Sequence, residues 1–373
     1  MYRVLVFGMT ENPGGVESVI MNYYRCIDKT KIQFDFLCNF HENAAYEDEL
    51  VAMGGNVFHI TARSENYGKY KKELEAFFET SQGVYDAIWV NVCSLANIDY
   101  LIMAKKYGIP RRIIHSHNSQ NMDSKLRGML HKRNRKRIDK FATDFWTCSE
   151  DAAKWFYEKR LLPKVVMIRN SISVERMAFD EEKRKKYRKL LQCNDNIWVI
   201  GNVGRLHFQK NQKFCLEIFQ QFLKKDSDAC LVLIGQGEDE AELKELTRRY
   251  GISKKVYFAG MQTDIRGWLS AFDTFLFPSK FEGLPIAALE AQANGVPMLA
   301  SAKVIPQEVK INSNFEFVNL DEGAVVWSEH LNHIRQMMKR LDISEVKQNF
   351  TEKGYNIETE TVKLEKLFLK EVK

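Results

Sequence analysis

Two glutamates in this chain stand where residue type and spacing suggest chemistry. Glu282 and Glu290 have seven residues between them, in the run Phe281-Glu282-Gly283-Leu284-Pro285-Ile286-Ala287-Ala288-Leu289-Glu290. The apolar run at 273–277 ends at Pro278 and reads as a strand. Gly283 and Pro285 mark a tight loop. Pro285 is placed as the first helical residue, where its missing N–H costs nothing. A helix is predicted from Ile286 to Ala293, so Glu282 falls in the loop and Glu290 in the second helical turn. The unpaired N–H groups and the dipole at such a helix start form a cradle for phosphate. The plain alternative makes Glu282 a capping acid and Glu290 a solvated helix residue.

Other loops carry compatible groups. Gly204-Arg205-Leu206-His207-Phe208-Gln209-Lys210-Asn211 follows an apolar strand at 198–203, and Gly235-Gln236-Gly237-Glu238 follows another at 230–234. Arg205 and Lys210 flank one loop and could meet a diphosphate, Arg through its fork and Lys as a point charge. Taken singly, each would be a surface charge. Near the start, Gly14 and Gly15 precede a helical pattern, and adjacent glycines let backbone approach a ligand closely. They could equally serve the turn alone, and the loop does not match the GxGxxG fingerprint of dinucleotide sites. His115 and His117, two apart at the end of a strand, face one side of it. No third ligand accompanies them, so a hydrogen-bonding or catalytic role is the better reading than zinc.

The elements that position these residues alternate along the whole chain. Apolar strands are expected near 4–8, 34–38, 57–60, 87–90, 112–118, 144–149 and 165–172, and again from 198 through 300, with helical patterns between them. A polar or glycine loop repeatedly follows a strand, which lines one sheet edge with backbone donors. In open parallel sheets, ligands gather beyond the carboxyl ends of strands. The predicted class is therefore α/β, with a domain boundary near Ser171.

Bulk properties narrow the partners. With 373 residues, 45% hydrophobic and 28% charged, the chain suits two soluble domains, and no apolar run is long enough to span a bilayer. Seven scattered cysteines without a CxxC spacing predict free thiols in a reducing cytosol and no metal cluster. The net charge of +6 is uneven: residues 125–140 hold eight Lys or Arg, interleaved with Leu126, Met129, Leu130 and Ile138. Such a segment could lie on an anionic membrane surface, meet an anionic substrate, or be a solvated helix face. A second basic run at 183–189 reads as a solvated helix face. No nucleic-acid-binding motif accompanies either, so no nucleic-acid partner is expected.

Taken together, Gly14-Gly15-Val16-Glu17, His115-Ser116-His117-Asn118, Ser149-Glu150, Gly204-Arg205 with Lys210-Asn211, Gly235-Gln236-Gly237-Glu238 and Pro278 to Glu290 resemble glycosyltransferase family 4, the retaining nucleotide-sugar transferases. The E-x7-E motif in its Phe-Glu-Gly-Leu-Pro context is the most specific part. The likeness is greatest to members that build bacterial capsular or exopolysaccharide. It implies a GT-B fold, with two Rossmann-like α/β/α domains facing across a cleft. Residues 1–171 would bind the acceptor, 172–352 the nucleotide sugar, and 353–373 would form a helix packing back on the first domain. It implies hexosyl transfer from a UDP-sugar to a lipid-linked or growing glycan acceptor, with no metal or other cofactor required. Glu282 would contact the donor sugar and His117 would approach it. Gly283, Leu284 and Pro285 would receive the diphosphate, with Gly235 and Gly237 lining the donor site. Arg205 and Lys210 would neutralise the leaving group, and Glu290 would bond the ribose. Gly14 and Gly15 would close over diphosphate and acceptor. The departure is Asn170-Ser171, where the family often has Asn-Gly. The expected location is cytoplasmic, peripheral at the inner face of the membrane. A sugar-nucleotide epimerase and an inactive nucleotide-sugar-binding scaffold are the competing readings.

Overall fold

The computed structural model describes residues 1–118, 124–282 and 285–370. The chain forms two compact units, Met1–Ser171 together with Ile357–Lys373, and Ile172–Asn356. Among the described residues the first unit is built on seven parallel strands: β1 (Tyr2–Phe7), β2 (Ile32–Cys38), β3 (Val57–His59), β4 (Ala87–Val92), β5 (Arg111–Ser116), β6 (Asp144–Thr147) and β7 (Val165–Met167). Their order is β3-β2-β1-β4-β5-β6-β7. The second unit has six: β8 (Trp198–Val203), β9 (Ala229–Ile234), β10 (Val256–Gly260), β11 (Thr274–Phe277), β12 (Met298–Ser301) and β13 (Phe315–Val318), in the order β10-β9-β8-β11-β12-β13. Each sheet reverses direction at its first strand. Loops after β1 and β4, and after β8 and β11, therefore meet at the switch points where open parallel sheets bind ligands.

Continuous apolar runs become strands here because both faces of each sheet are covered. In the first unit Leu5, Ile88, Val90 and Ile114 pack on one face against helix residues such as Leu74 and Leu101. The next residues in register, Phe34, Trp89 and Trp146, meet Phe368 on the other face. In the second unit Val199, Val232 and Phe275 share one core, while Ile200, Leu231 and Leu276 share the other. The Phe368 contacts belong to the last helix, Ile357–Leu369. Arg111 ties that helix to the sheet, donating to the Phe368 carbonyl at 3.0 Å. The backbone N–H of Asp28 donates to Glu365 at 2.7 Å.

Several local expectations are corrected. Pro285 is the residue before the helix Ile286–Ala293, not its first member. Its ψ of 106° is extended, yet its carbonyl accepts from the Ala288 N–H at 3.1 Å, which is how a capping residue behaves. The basic run at 183–189 is not simply a solvated face. Lys183 pairs with Asp264 at 2.7 Å, and Arg184 and Arg188 grip the two oxygens of Asp273 at 2.7 and 3.0 Å. Ser171 is absent from the positive-φ residues, so the crossing needs no glycine there. Its carbonyl and that of Arg169 accept from Asn22 and Tyr23 of the first unit. No helix among the described residues is long and apolar enough to cross a membrane.

Candidate active site

In the second unit, the loop after β8 is fastened to the loop after β11. The Lys280 N–H donates to the Gln209 carbonyl at 2.8 Å, and the Gln209 amide donates to the Phe281 carbonyl at 3.0 Å. Asn211, in the left-handed region at φ 59°, starts the next helix and donates to the Pro278 carbonyl at 3.0 Å. Beneath them a buried amide network sets the depth of the loop. Asn202 donates to the Leu276 carbonyl at 2.8 Å, and Gln212 donates to the Arg205 carbonyl at 3.1 Å.

This fastening brings Lys210 and Glu282 together. Lys210 Nζ lies 2.7 Å from Glu282 Oε1, with side-chain exposures of 19% and 6%. The ammonium also sits 5.2 Å from the centroid of the Phe277 ring, which adds a cation–π contact. A pair this sheltered is costly to break singly, because the remaining charge loses both water and partner. It is a concentrated source of charge at the β8/β11 switch point.

Arg205 is not part of that pair. Its exposed guanidinium meets Glu238 at 3.1 Å, and His207 Nε2 lies 3.3 Å from the other Glu238 oxygen. Gly235 and Gly237 back this region. A Cβ on Gly235, whose φ is +129°, would fall 2.2 Å from the Gly204 carbonyl oxygen, and one on Gly237 would fall 2.1 Å from that of Leu206. Their glycine identity is thus accounted for by backbone packed on backbone. Glu290 is half-buried in its helix, and burial pushes its carboxyl up to about 7. Gly283 and Leu284 lie outside the described residues.

In the first unit, His115 and His117 do share one side of their strand end, with ring centroids 4.0 Å apart. His115 is fully buried and accepts from Trp89 Nε1 at 3.3 Å. Burial and the neighbouring His117 hold its imidazole well below the ordinary value. Burial also pushes His117 down, to about 3. His117 Nε2 lies 2.9 Å from Asn91 Oδ1, while the Asn91 amide nitrogen donates to the Phe7 carbonyl at 3.3 Å. That arrangement assigns the proton of a neutral His117 to Nε2 and leaves Nδ1 as an acceptor.

Gly14 caps the helix Gly15–Cys26, and a side chain at Gly15 would face open space. The loop ahead of it is pinned by the buried Glu17, which accepts from Thr10 at 2.6 Å. Beyond the ends of β1 and β4 lies a cavity of about 550 Å³, whose walls include Phe7, Val92, Tyr100, Leu130, Arg63 and Arg127. The sequence motifs include Gln209, Asn211, Glu238 and Glu17 but give them no role of their own, and nothing in the sequence singles out Asn91 or this cavity. Among the described residues, no group of three His, Cys, Asp or Glu side chains is placed to hold a metal ion.

Residues 183–356 match the family model for glycosyl transferases group 1. EpsF of Bacillus subtilis (strain 168) is 28% identical over 338 residues, covering 88% of this chain and 86% of that protein. The UDP-Gal:alpha-D-GlcNAc-diphosphoundecaprenol alpha-1,3-galactosyltransferase of Escherichia coli is 33% identical over 141 residues, covering 37% of this chain and 36% of that enzyme. Among solved structures, Anabaena HepE in complex with UDP and glucose superimposes with a TM-score of 0.78 at 15% identity, covering 98% of this chain and 99% of that one. A glycosyltransferase from Rickettsia africae gives a TM-score of 0.81, also at 15% identity, covering 100% of this chain and 99% of that one. At such identities the structures speak for the fold, which is the two-unit GT-B arrangement of parallel-sheet Rossmann-like domains. The sequence likenesses speak for the chemistry: the chain is a glycosyltransferase, with polysaccharide-building enzymes among its relatives.

Proposed function

We propose that this enzyme is a family 4 transferase that moves a sugar, with retention, from a UDP-sugar to a lipid-linked or growing glycan acceptor in capsular or exopolysaccharide synthesis. The observation that carries the reading is the sheltered Lys210–Glu282 pair at the switch point of the second sheet. Departure of a nucleoside diphosphate develops negative charge, and preorganised cations stabilise it without reorganisation. Lys210 takes the diphosphate, and arrival of that anion releases Glu282 to meet the donor sugar. Arg205 adds a second, solvent-screened cation. The backbone at Gly283, Leu284 and Pro285, with the helix start that follows, receives phosphate oxygens. Gly235 and Gly237 shape the donor loop, and Glu290 accepts from the ribose hydroxyls.

In the first unit, His117 offers Nδ1 of a neutral imidazole to a sugar hydroxyl, and Gly14 and Gly15 offer backbone N–H groups to the diphosphate and acceptor. The cavity lined by Tyr100, Leu130, Arg63 and Arg127 has the mixture of apolar wall and cation that an amphipathic phosphorylated acceptor requires. The UDP in the HepE structures and the diphosphoundecaprenol in the name of the Escherichia coli relative support these choices of donor and acceptor. Retention follows if the acceptor attacks the face the diphosphate leaves, in an ion-pair-like transition state.

The test is a panel of nucleotide sugars assayed for hydrolysis and for transfer to diphosphate-linked lipid sugars. Acceptor-dependent transfer from a UDP-sugar with the anomeric configuration kept is the expected result. Interconversion of the nucleotide sugar without an acceptor would instead identify an epimerase, and binding without turnover would identify a scaffold.

Peripheral membrane association is proposed for the helix Lys125–Arg135. Its outward face carries Leu126 and Met129, 63% and 61% exposed, between exposed Lys125, Lys132, Arg133 and Lys136. Replacing the basic residues of 132–137 with Gln should cut sedimentation with anionic vesicles about tenfold or more, since each cation near such a surface contributes about 1 kcal/mol. Unchanged sedimentation would remove the membrane from this reading.

A further inference from the structure

The second unit holds a pair of thiols that the transfer chemistry does not use. Cys193 follows the helix Glu181–Leu190, and its N–H donates to the Arg188 carbonyl at 2.9 Å. Cys230 is the second residue of β9 and is 3% exposed. The two sulfurs are 3.4 Å apart, although 37 positions separate the residues in sequence. A disulfide bond measures about 2.05 Å, so its formation asks for a movement of little more than an ångström.

Cys193 is also reachable. It is half-buried and lines an open cavity of about 380 Å³, with exposed Lys185 and Lys189 on the rim against Glu181 and Asp195, and the buried Arg188 in its wall. The contact with Cys230 and the nearby Arg188 draw the Cys193 thiol down from its ordinary value. The contact with Cys193, and burial, raise the Cys230 thiol. An accessible thiol at a mouth that carries Lys185 and Lys189, with a second sulfur 3.4 Å behind it, is the arrangement of an attacking and a resolving thiol. Other cysteines differ. Cys38 and Cys215 are buried and pushed up by burial, and Cys93 is exposed and lies in the first unit.

We propose that Cys193 and Cys230 form a thiol–disulfide exchange site, oxidised reversibly by small disulfides with anionic ends, of which oxidised glutathione is the probe. The Cys193 thiolate attacks one sulfur of the small disulfide, whose S–S bond breaks. One small thiolate leaves, takes up a proton, and a mixed disulfide remains on Cys193. Cys230 then gives up its proton and attacks the Cys193 sulfur, releasing the second small thiol. Two protein thiols lose two electrons, and one small disulfide becomes two thiols. The inference is independent of the donor and acceptor assignments, because its readout is the bond itself.

The full chain is incubated with oxidised and reduced glutathione at set ratios, quenched with acid, and mapped by non-reducing peptide mass spectrometry. A cross-linked peptide pair joining Cys193 to Cys230 is expected, reversed by dithiothreitol. It should come with a rise in Tm on the order of 5 °C, because the bond closes a long loop of the unfolded chain. Cys230→Ala should stop at the mixed disulfide on Cys193, and Cys193→Ser should leave Cys230 unmodified while Cys93 still reacts. The proposal is overturned if the native chain yields mixed disulfides without the cross-link, or if Cys230 reacts as fast in Cys193→Ser as in the native chain. Should Cys230→Ala not fold, the native map and Cys193→Ser decide the matter.

Discussion

In the first unit, the loop after β1 carries Gly14 and Gly15, and Asn91 near the end of β4 meets the imidazole of His117, just after β5, at 2.9 Å. In the second unit, the equivalent loops after β8 and β11 bring together an ammonium and a carboxylate, Lys210 and Glu282. The strand order through each reversal is the same. Shared topology supplies an edge rich in backbone donors, and the side chains decide what that edge attracts. Burial suppresses charge at His117, whereas Lys210 and Glu282 form an ion pair 2.7 Å apart. A neutral, hydrogen-bonding edge suits hydroxyl groups, and a charged one suits a leaving diphosphate.

The contrast is broken most directly at the charged edge. Lys210→Ala and Glu282→Ala should each lower kcat/KM by about 10³-fold or more, as loss of a preorganised transition-state contact does. Circular dichroism should confirm that both variants still fold. Near-native turnover in either would remove the pair from the chemistry. At the neutral edge a smaller effect is expected: His117→Ala should reduce kcat about 10²-fold. Because burial holds this imidazole down to about 3, the native pH–rate profile should show no His117 ionisation at neutral pH. A limb near the ordinary histidine value that vanishes in His117→Ala would contradict the neutral assignment.

The smallest expected effect sharpens the role of Glu290. A carboxyl raised to about 7 keeps its proton in the fold after the unfolded chain has lost it. Its contribution to stability is therefore fullest below the ordinary carboxylate value and declines as pH rises toward about 7. In the proposed donor site, ribose hydroxyls would donate to the ionised form and favour it. Calorimetric affinity for UDP should thus rise several-fold as pH increases through about 7, with Glu290→Gln showing a flat profile. Equal pH dependence in both proteins would separate Glu290 from the ribose.

Much of this arrangement was legible before the tertiary structure. Strands buried on both faces are continuous apolar runs, so segments such as Cys230 to Ile234 could be read by composition alone. Less could be read toward the end of the second unit. β13 alternates weakly over four residues, and the helices Gly323–Met337 and Ile343–Lys353 carry polar residues among their apolar ones. Arg184 and Arg188 looked solvated because nothing local announces Asp273 as their partner. Pro285 was misplaced by one position because proline suits both a capping residue and a first helical residue.

The sequence by itself determined the alternating α/β class, the loops that follow the strands, and the presence of Glu282, Lys210 and His117 in such loops. These are local properties, set by hydrophobic period, turn residues and strand ends. The tertiary structure alone decided which of those groups meet. Lys210 and Glu282 are 72 positions apart, and they touch because β8 pairs with β11 rather than with a strand at the sheet's edge. The same holds for Cys193 with Cys230, and for the amide of Asn91 that sets the proton of His117. Side-chain contact follows from strand order and burial, and those arise from packing over the whole chain rather than from any single stretch.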